Sequence, residues 1–567
     1  MKRNRWIKGF ACGALCLCAA IGSAQAQFYV GGAALNRDIM MHADFAALSR
    51  PQLFGTARAM GMGGAFVSLG ADLTAMSLNP AGLGMYQHSE VSISPLLAFS
   101  HASTPGTDSW GSNNKTRFAL ADFGAAINLF ERVNRGGVSS MTLGFGLHRV
   151  ADFNTRYSYS SEQRYNGTMV PSIADLFAAQ MNYDGIFPAM GNGGNPNGQL
   201  NYADPFYWPA VLAYKSAMTH VAGSGGNLYW EPDAIGERAS ILRSVDAIDR
   251  GSINEFNISV GGNYNNVVYI GASFGLQSVY KNSLFVYGED YGYFHGNDNG
   301  YAYGPDGRVL PAQLEYADLW QRTILDGIGF NFKLGVIVRP IAGLRLGAAF
   351  HSPTYYTLER SYAAGMDYSL LANDPAYSDE SASLGSPTQY DEAGDSWEFI
   401  SPTRLMFGAS YAFGKFAIVS VDYERDWYNG IRVKQVPYGV EFGPADYKGD
   451  FKNLYQATNT LRAGIEVRPM PTLALRAGYS CTSSMLRNEQ LSYEGPQSTT
   501  SNYYTLGAGF NLTRSVSLDI AYQHQTDNRT SYYLFYGDMV NEAGIWSERY
   551  STSLKRDFVT LTLGVHF

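Results

Sequence analysis

The chain has 567 residues, a net charge of -8, only 16% charged residues and 14% aromatic ones, with 40 Tyr and 62 Gly. An acidic balance disfavours nucleic-acid binding, and a charged fraction well below the ~25% of soluble domains points away from an ordinary water-soluble domain. Of the four cysteines, Cys12, Cys16 and Cys18 fall within the first twenty residues, leaving Cys481 alone and excluding an intramolecular disulfide or a cysteine metal site in a chain processed beyond them.

Lys2, Arg3, Arg5 and Lys8 precede an apolar stretch over 9–21 and the triplet Ala24-Gln25-Ala26. This is the pattern of a secretory signal peptide, residues 1–26, cleaved after Ala26. The stretch is shorter than the ~20 apolar residues of a membrane-spanning helix. Some sixty residues without sheet alternation follow, ending near residue 89.

From there the pattern is alternation, which a membrane barrel needs because one strand face meets lipid and the other the lumen. The clearest case is 327–339, where Ile328, Phe330, Phe332, Leu334, Val336 and Val338 alternate with Gly, Asn, Lys and Arg, with only Ile337 out of pattern. The turn at 340–343 then leads to Leu344, Leu346, Ala348 and Phe350, a tight hairpin. Comparable hairpins fit 256–260 with 268–276, 403–411 with 416–428, 461–467 with 473–481 and 504–510 with 516–524. Single strands fit 91–99, 118–129, 141–150 and 559–567. The sum is an antiparallel β-barrel of about fourteen strands, an even number within the range of bacterial barrels.

Short turns alternate with long connections at 101–115, 151–251, 282–326, 357–397, 429–453, 484–501 and 526–553. That segregation matches periplasmic turns and extracellular loops. Residues 151–251 are too many for a bare loop, and 172–181 and 209–218 read as short helices within them. The last strand closes on Phe567, resembling the terminal signal that barrel-assembly machinery reads on outer-membrane proteins.

Gly61-Met62-Gly63-Gly64 lacks both the preceding strand and the Gly-Lys-Ser/Thr of a phosphate loop. Glu289, Asp290, Asp298 and Asp306 read as a solvated acidic loop without calcium-loop spacing. No His-Glu-x-x-His or Ser/His/Asp pattern supports catalysis, so no enzyme and no cofactor is expected.

The run Gly61-Met62-Gly63-Gly64-Ala65-Phe66, and Asn79-Pro80-Ala81-Gly82-Leu83 after it, resemble the N-terminal hatch of the outer-membrane long-chain fatty acid transporter family, which also includes aromatic-hydrocarbon channels. Resemblance continues in Arg345-Leu346-Gly347-Ala348-Ala349-Phe350-His351-Ser352-Pro353 and in Asp422-Tyr423-Glu424. It implies a monomeric all-β barrel over 90–567, a luminal hatch over 27–89, and passive transport of hydrophobic small molecules across an outer membrane whose lipopolysaccharide is a poor solvent for them. Ligand or hatch residues would be Gly61, Gly63, Gly64, Phe66, Asn79, Pro80, Ala81 and Gly82. The family's sideways exit through a kinked third strand would map to residues 144–154, with Gly144, Gly146, Phe153 and Asn154 at the kink. A greasy lumen would supply the binding surface. The alternative is an outer-membrane scaffold for protein secretion or surface attachment, docking through 151–251.

Overall fold

The computed structural model describes residues 28–35, 37–108, 113–132, 137–164, 170–187, 205–216, 218–224, 227–232, 240–291, 302–303, 309–310, 312–372, 380–385, 396–437, 442–487, 498–527, 530–539 and 544–567. The expected signal peptide, with Ala26, lies outside them.

The wall is a closed antiparallel barrel of fourteen strands. In chain order these are β1 Glu90–Ser103, β2 Asn114–Glu131, β3 Val138–Asp152 continued by Thr155–Arg164, β4 Ser240–Tyr264, β5 Val268–Asp290 and β6 Ala312–Ile341. Then come β7 Leu344–His351 continued by Tyr355–Ala372, β8 Ser396–Ile400 continued by Arg404–Phe413, β9 Ala417–Trp427 and β10 Ala457–Met470. The last four are β11 Leu473–Thr482, β12 Ser501–Asn511, β13 Val516–Asp527 and β14 Arg549–His566. Each pairs with its chain neighbours, and β1 closes on β14 from Glu90 opposite His566 to Ser103 opposite Ser553. Closure removes the free edges that would otherwise leave backbone groups unpaired in lipid.

Period-two sequence becomes two-faced wall. Ile328, Phe332, Leu334 and Leu506 stand 60%, 54%, 55% and 61% exposed on the outside, while Asn331, Lys333, Glu255 and Asn257 between or opposite them are buried inside. An apolar side chain left in water forfeits ~1.5–3 kcal/mol of burial, so this continuous outer band requires lipid. Asn265 and Asn266 both take positive φ, 56° and 55°, in the three-residue turn 265–267 that joins β4 to β5.

The strands run further than alternation of apolar residues predicts. Much of the expected connection 282–326 is β5 and β6, and the start of 357–397 is β7. On these extensions the outward face carries Arg322 and Asp326, both exposed, so the apolar contrast that marks a strand in lipid is gone although the ladder continues. The connection 429–453 holds a strand, Arg432–Gln435, and a helix, Pro444–Leu454.

Of the expected connection 151–251, residues 155–164 and 240–251 extend the wall strands β3 and β4, and the described residues between them form a cap. The two helices expected there are Ile173–Asp184 and Trp208–Lys215, followed by the hairpin Thr219–Ser224 with Asn227–Pro232. Ser172 caps the first, its side chain accepting from Ala174 N–H, and Gly185 ends it at φ 65°. Phe177, Trp208, Leu212 and Trp230 share a buried cluster with Phe285 and Tyr287 of the wall and Leu534 and Phe535 of the last long connection.

The N-terminal segment begins at that same end. Phe28–Gly31 pairs antiparallel with Tyr536–Met539, a strand that the unalternating composition did not reveal. The helix His42–Leu48 then sets Phe45 against Trp397, Phe399 and Tyr447, with ring centroids 5.7, 5.1 and 5.5 Å apart. From there the chain descends the inner wall to Tyr86, whose carbonyl accepts from Asn128 near the short-turn end of β2.

Candidate functional site

The descending segment rests on glycines of the wall. A Cβ at Gly478 would lie 2.2 Å from Gly63 N, at Gly271 2.2 Å from Pro80 C, at Gly464 2.4 Å from Met62 O, and at Gly347 2.4 Å from Val67 O. At Gly261 it would lie 2.5 Å from Leu83 Cβ. No side chain fits there, so backbone lies directly on backbone. Gly61 approaches Gly507, while Gly63 and Gly64 turn the chain at φ 65° and 72°. Phe66 and Ala81 are buried, and the Arg58 guanidinium stands 5.4 Å from the Phe66 ring centroid.

Asn79 is fully buried. Its Nδ2 donates to Val67 O at 2.6 Å and faces the carbonyls of Val336 and Ala348, each at 3.4 Å, while its Oδ1 accepts from Ala81 N–H at 3.2 Å. Pro80 opens the six-residue 3-10 helix Pro80–Met85, in which Gly82 packs against Gly70. The Asn-Pro turn therefore reaches β6 and β7 as well as its own backbone.

Gly144 and Gly146 do not mark an irregularity. They sit in unbroken ladder opposite Ser259 and Asn257, and their missing side chains make room for Met76. The break in β3 comes at 153–154, after a register shift between Arg149 and Ala151. β2 and β3 stop pairing at Asp122 opposite His148, and beyond that β3 pairs with β4 and, on its other side, meets the β1–β2 connection in an isolated bridge between Ser160 and Asp108. Side chains fill the resulting gap. Arg149 Nε donates to Leu120 O at 3.0 Å, Arg149 Nη1 meets Asp152 Oδ2 at 3.0 Å, and Asn154 Nδ2 donates to Asp152 Oδ1 and Gly251 O. The segment inside joins them, since Gln52 N–H donates to Val150 O at 2.9 Å.

Two interior cavities border this break, and Leu48 lines both. One, of about 340 Å³, lies among Leu35, Ile39, Met40, Leu325 and Phe153, with Arg37, Lys281 and Arg360 at its margin. Lys281 Nζ stands 5.8 Å from the Phe153 ring centroid and, among the described residues, has no carboxylate partner. The other, of about 110 Å³, corrects the expectation of a greasy lumen: it is lined by Glu255, Lys333, His351, Arg404, Glu424, Asp426 and Arg462. The same alternation that turns apolar residues to lipid turns these charges inward. Ion pairs reduce the cost of burying them. Lys333 pairs with Glu255, Arg404 Nε lies 3.1 Å from Asp426, and Arg462 Nη1 lies 2.7 Å from Glu424.

Glu289, expected in a solvated acidic loop, is buried and binds the cap. It accepts from Ser172 Oγ at 2.5 Å, Ile173 N–H at 3.0 Å, Tyr287 OH at 2.6 Å and Tyr291 OH at 2.9 Å. Asp298 and Asp306 lie outside the described residues. Phe567 stands 72% exposed and is held by backbone alone, its N–H donating to Ser89 O.

No protein-family model and no curated protein matches the chain. Among solved structures, a FadL homologue of Pseudomonas aeruginosa is similar over 91% of this chain and 99% of its own, at 12% identity and a TM-score of 0.49. The toluene transporter TbuX of Ralstonia pickettii is similar over 91% and 99%, at 13% identity and a TM-score of 0.47. The toluene transporter TodX of Pseudomonas putida is similar over the same shares, at 13% identity and a TM-score of 0.45.

Proposed function

We propose that the protein is a monomeric outer-membrane channel that passes hydrophobic small molecules without an energy source, with residues 27–89 as its luminal hatch. The observation that carries the reading is the 340 Å³ cavity, which places apolar side chains beside Phe153 where the ladder of β3 is interrupted. A molecule held there leaves for the lipid through the gap between β2 and β3 when Arg149, Asp152 and Asn154, which fill it, part, and need not pass the seated segment. Arg37, Lys281 and Arg360 suit an acid head on such a molecule. Lipid and lipopolysaccharide surround the apolar band, and Phe567 serves recognition by the barrel-assembly machinery. The test is uptake of labelled laurate by cells producing the protein, with and without a proton gradient. Uptake above the vector control that persists without the gradient is expected; no uptake, or its collapse with the gradient, overturns the reading.

A further inference from the structure

Charge is sorted across the wall at β9. Asp422, Glu424 and Asp426 are buried inside, and Arg425, between the last two, is exposed outside. Arg432–Gln435 carries the strand's line onward, pairing with the Ser396–Ile400 part of β8. There Ile431 and Val433 turn into the buried cluster around Phe45 and Trp397, so Arg432 and Lys434, both exposed, point out. Among the described residues no carboxylate, the outward Glu398 opposite Gln435 included, forms an ion pair with Arg425, Arg432 or Lys434. Tyrosines mark the height of these cations. Outward Tyr423, Tyr479 and Tyr522 donate their hydroxyls to Asn459, Asn502 and Asp557 at 2.6, 2.8 and 2.6 Å, each acceptor on a neighbouring strand and nearer the long-connection end. A ring in the apolar band with a polar group above it is the arrangement of a membrane–water interface. Arg425 stands just above Tyr423, its Nη1 donating to the same Asn459 at 3.2 Å and its guanidinium 5.9 Å from the Trp427 ring centroid. By register Arg425 lies opposite Leu405 and Arg432 opposite Ile400, which sets them about 16 Å apart along the strand, with Lys434 about 7 Å further. On β6 and β7 the outward residues beyond the band are acids instead, Asp326 opposite Glu359.

We infer that the outer face of β9 is a binding site for the diphosphorylated head of lipopolysaccharide, with Arg425 meeting one phosphate, Arg432 and Lys434 the other, and the acyl chains lying on the apolar band below. Unpaired cations at head-group level hold anionic lipid heads, and a guanidinium binds phosphate through two parallel hydrogen bonds. The spacing of the cations suits a head with two anionic groups rather than one. Asp326 and Glu359 repel the same head, so the site is confined to one side of the barrel. The inference concerns the outside of the wall and holds whatever passes through the lumen.

The full-length protein in phosphatidylcholine nanodiscs is incubated with diphosphoryl, monophosphoryl or phosphate-free lipid A, and the lipid it retains is counted by native mass spectrometry. Retention of the diphosphoryl form is expected to exceed that of the monophosphoryl form about fivefold, and that of the phosphate-free form by more. The double variant Arg432→Gln, Lys434→Gln, changed only at exposed positions, is expected to stay heat-modifiable and to hold the diphosphoryl form no better than the wild type holds the monophosphoryl one. Lys555→Gln, which removes an exposed cation of β14, is expected to change nothing. The comparison of the three lipids on the wild type stands by itself where a variant does not fold. Equal retention of all three overturns the phosphate site, and equal retention of the two phosphorylated forms overturns the two-point contact. A double variant that binds as the wild type does, or an equal loss in Lys555→Gln, overturns the placement on β9.

Discussion

Gln52 and Asp152 are bonded twice: Gln52 Nε2 donates to the Asp152 carbonyl at 3.1 Å, and Gln52 Oε1 accepts from Asp152 N–H at 3.2 Å. A side-chain amide of the luminal segment thereby does for β3 what a neighbouring strand would do, at the point where β2 no longer pairs with it. Each bond contributes about 0.5–1.5 kcal/mol. Gln52→Ala is expected to loosen the gap and speed release of a bound fluorescent fatty acid about three- to tenfold, read by stopped-flow. An unchanged release rate would show that molecules leave by another route.

The glycine seat predicts a graded response. Gly478→Ala places a methyl 2.2 Å from Gly63 N, which no backbone contact accommodates, whereas Gly507→Ala meets Gly61 Cα at 3.1 Å, a shift of a few tenths of an ångström. The first variant is expected to lift residues 55–83 from the wall and make liposomes swell in small sugars, while remaining a heat-modifiable barrel. The second is expected to stay as tight as the wild type. Sugar-tight liposomes with folded Gly478→Ala would mean that the segment does not occlude the lumen.

What the sequence makes legible is decided by lipid. Ile328, Phe332 and Leu334 alternate with Asn331 and Lys333 because bilayer and lumen face opposite sides of one strand, and that contrast marks every wall strand. Outside the band it vanishes, so the extensions carrying Arg322 and Asp326 read as loop. The inward charges are visible in the same alternation, as Glu255 and Asn257 or Glu424 and Asp426, yet their meeting across the lumen joins residues far apart in the chain. Gly144 and Gly146 suggest a flexible strand when read locally. Their actual partner, Met76, lies about seventy residues away, and no local pattern announces it. Gln52 and Glu289 were missed for the same reason, since each acts through one long-range contact.

His42 gives a pH-dependent test of how the N-terminal helix docks. Burial pushes its imidazole down from 6.5 to about 4, opposed by the nearby Asp44 carboxylate, and Nδ1 lies 2.9 Å from Tyr455 OH. The undocked helix, with an ordinary imidazole, binds more protons below pH 6.5 than the docked one. Docking stability is therefore complete above pH 6.5 and falls as pH drops toward 4. Hydrogen-exchange protection of Phe45 and Ala46, corrected for intrinsic rates, is expected to drop about tenfold per pH unit in that window. In His42→Gln it should be flat. A flat wild-type profile would mean that the imidazole is hydrated and the helix is not docked as described.

Asn79 tests whether the Asn-Pro turn is a fastener or a connector. Its Nδ2 faces Val67 O, Val336 O and Ala348 O, and the first of these bonds, at 2.6 Å, ties two stretches of the luminal segment together. Asn79→Ala leaves a buried carbonyl unpaired, costing about 1–3 kcal/mol, and it frees Ala81 N–H as well. The wall does not depend on these bonds, since β6 and β7 pair through their own backbone. The variant is therefore expected to keep wild-type heat modifiability while its luminal segment becomes sensitive to added protease, and retention of a hydrophobic probe should fall severalfold. Asn79→Asp separates the two halves of the side chain's role. It keeps an acceptor for Ala81 N–H but loses the donor to Val67 O, and it should resemble Asn79→Ala if the link across the segment matters. If Asn79→Asp retains the probe as the wild type does, the local turn suffices and the tie to Val67 is incidental.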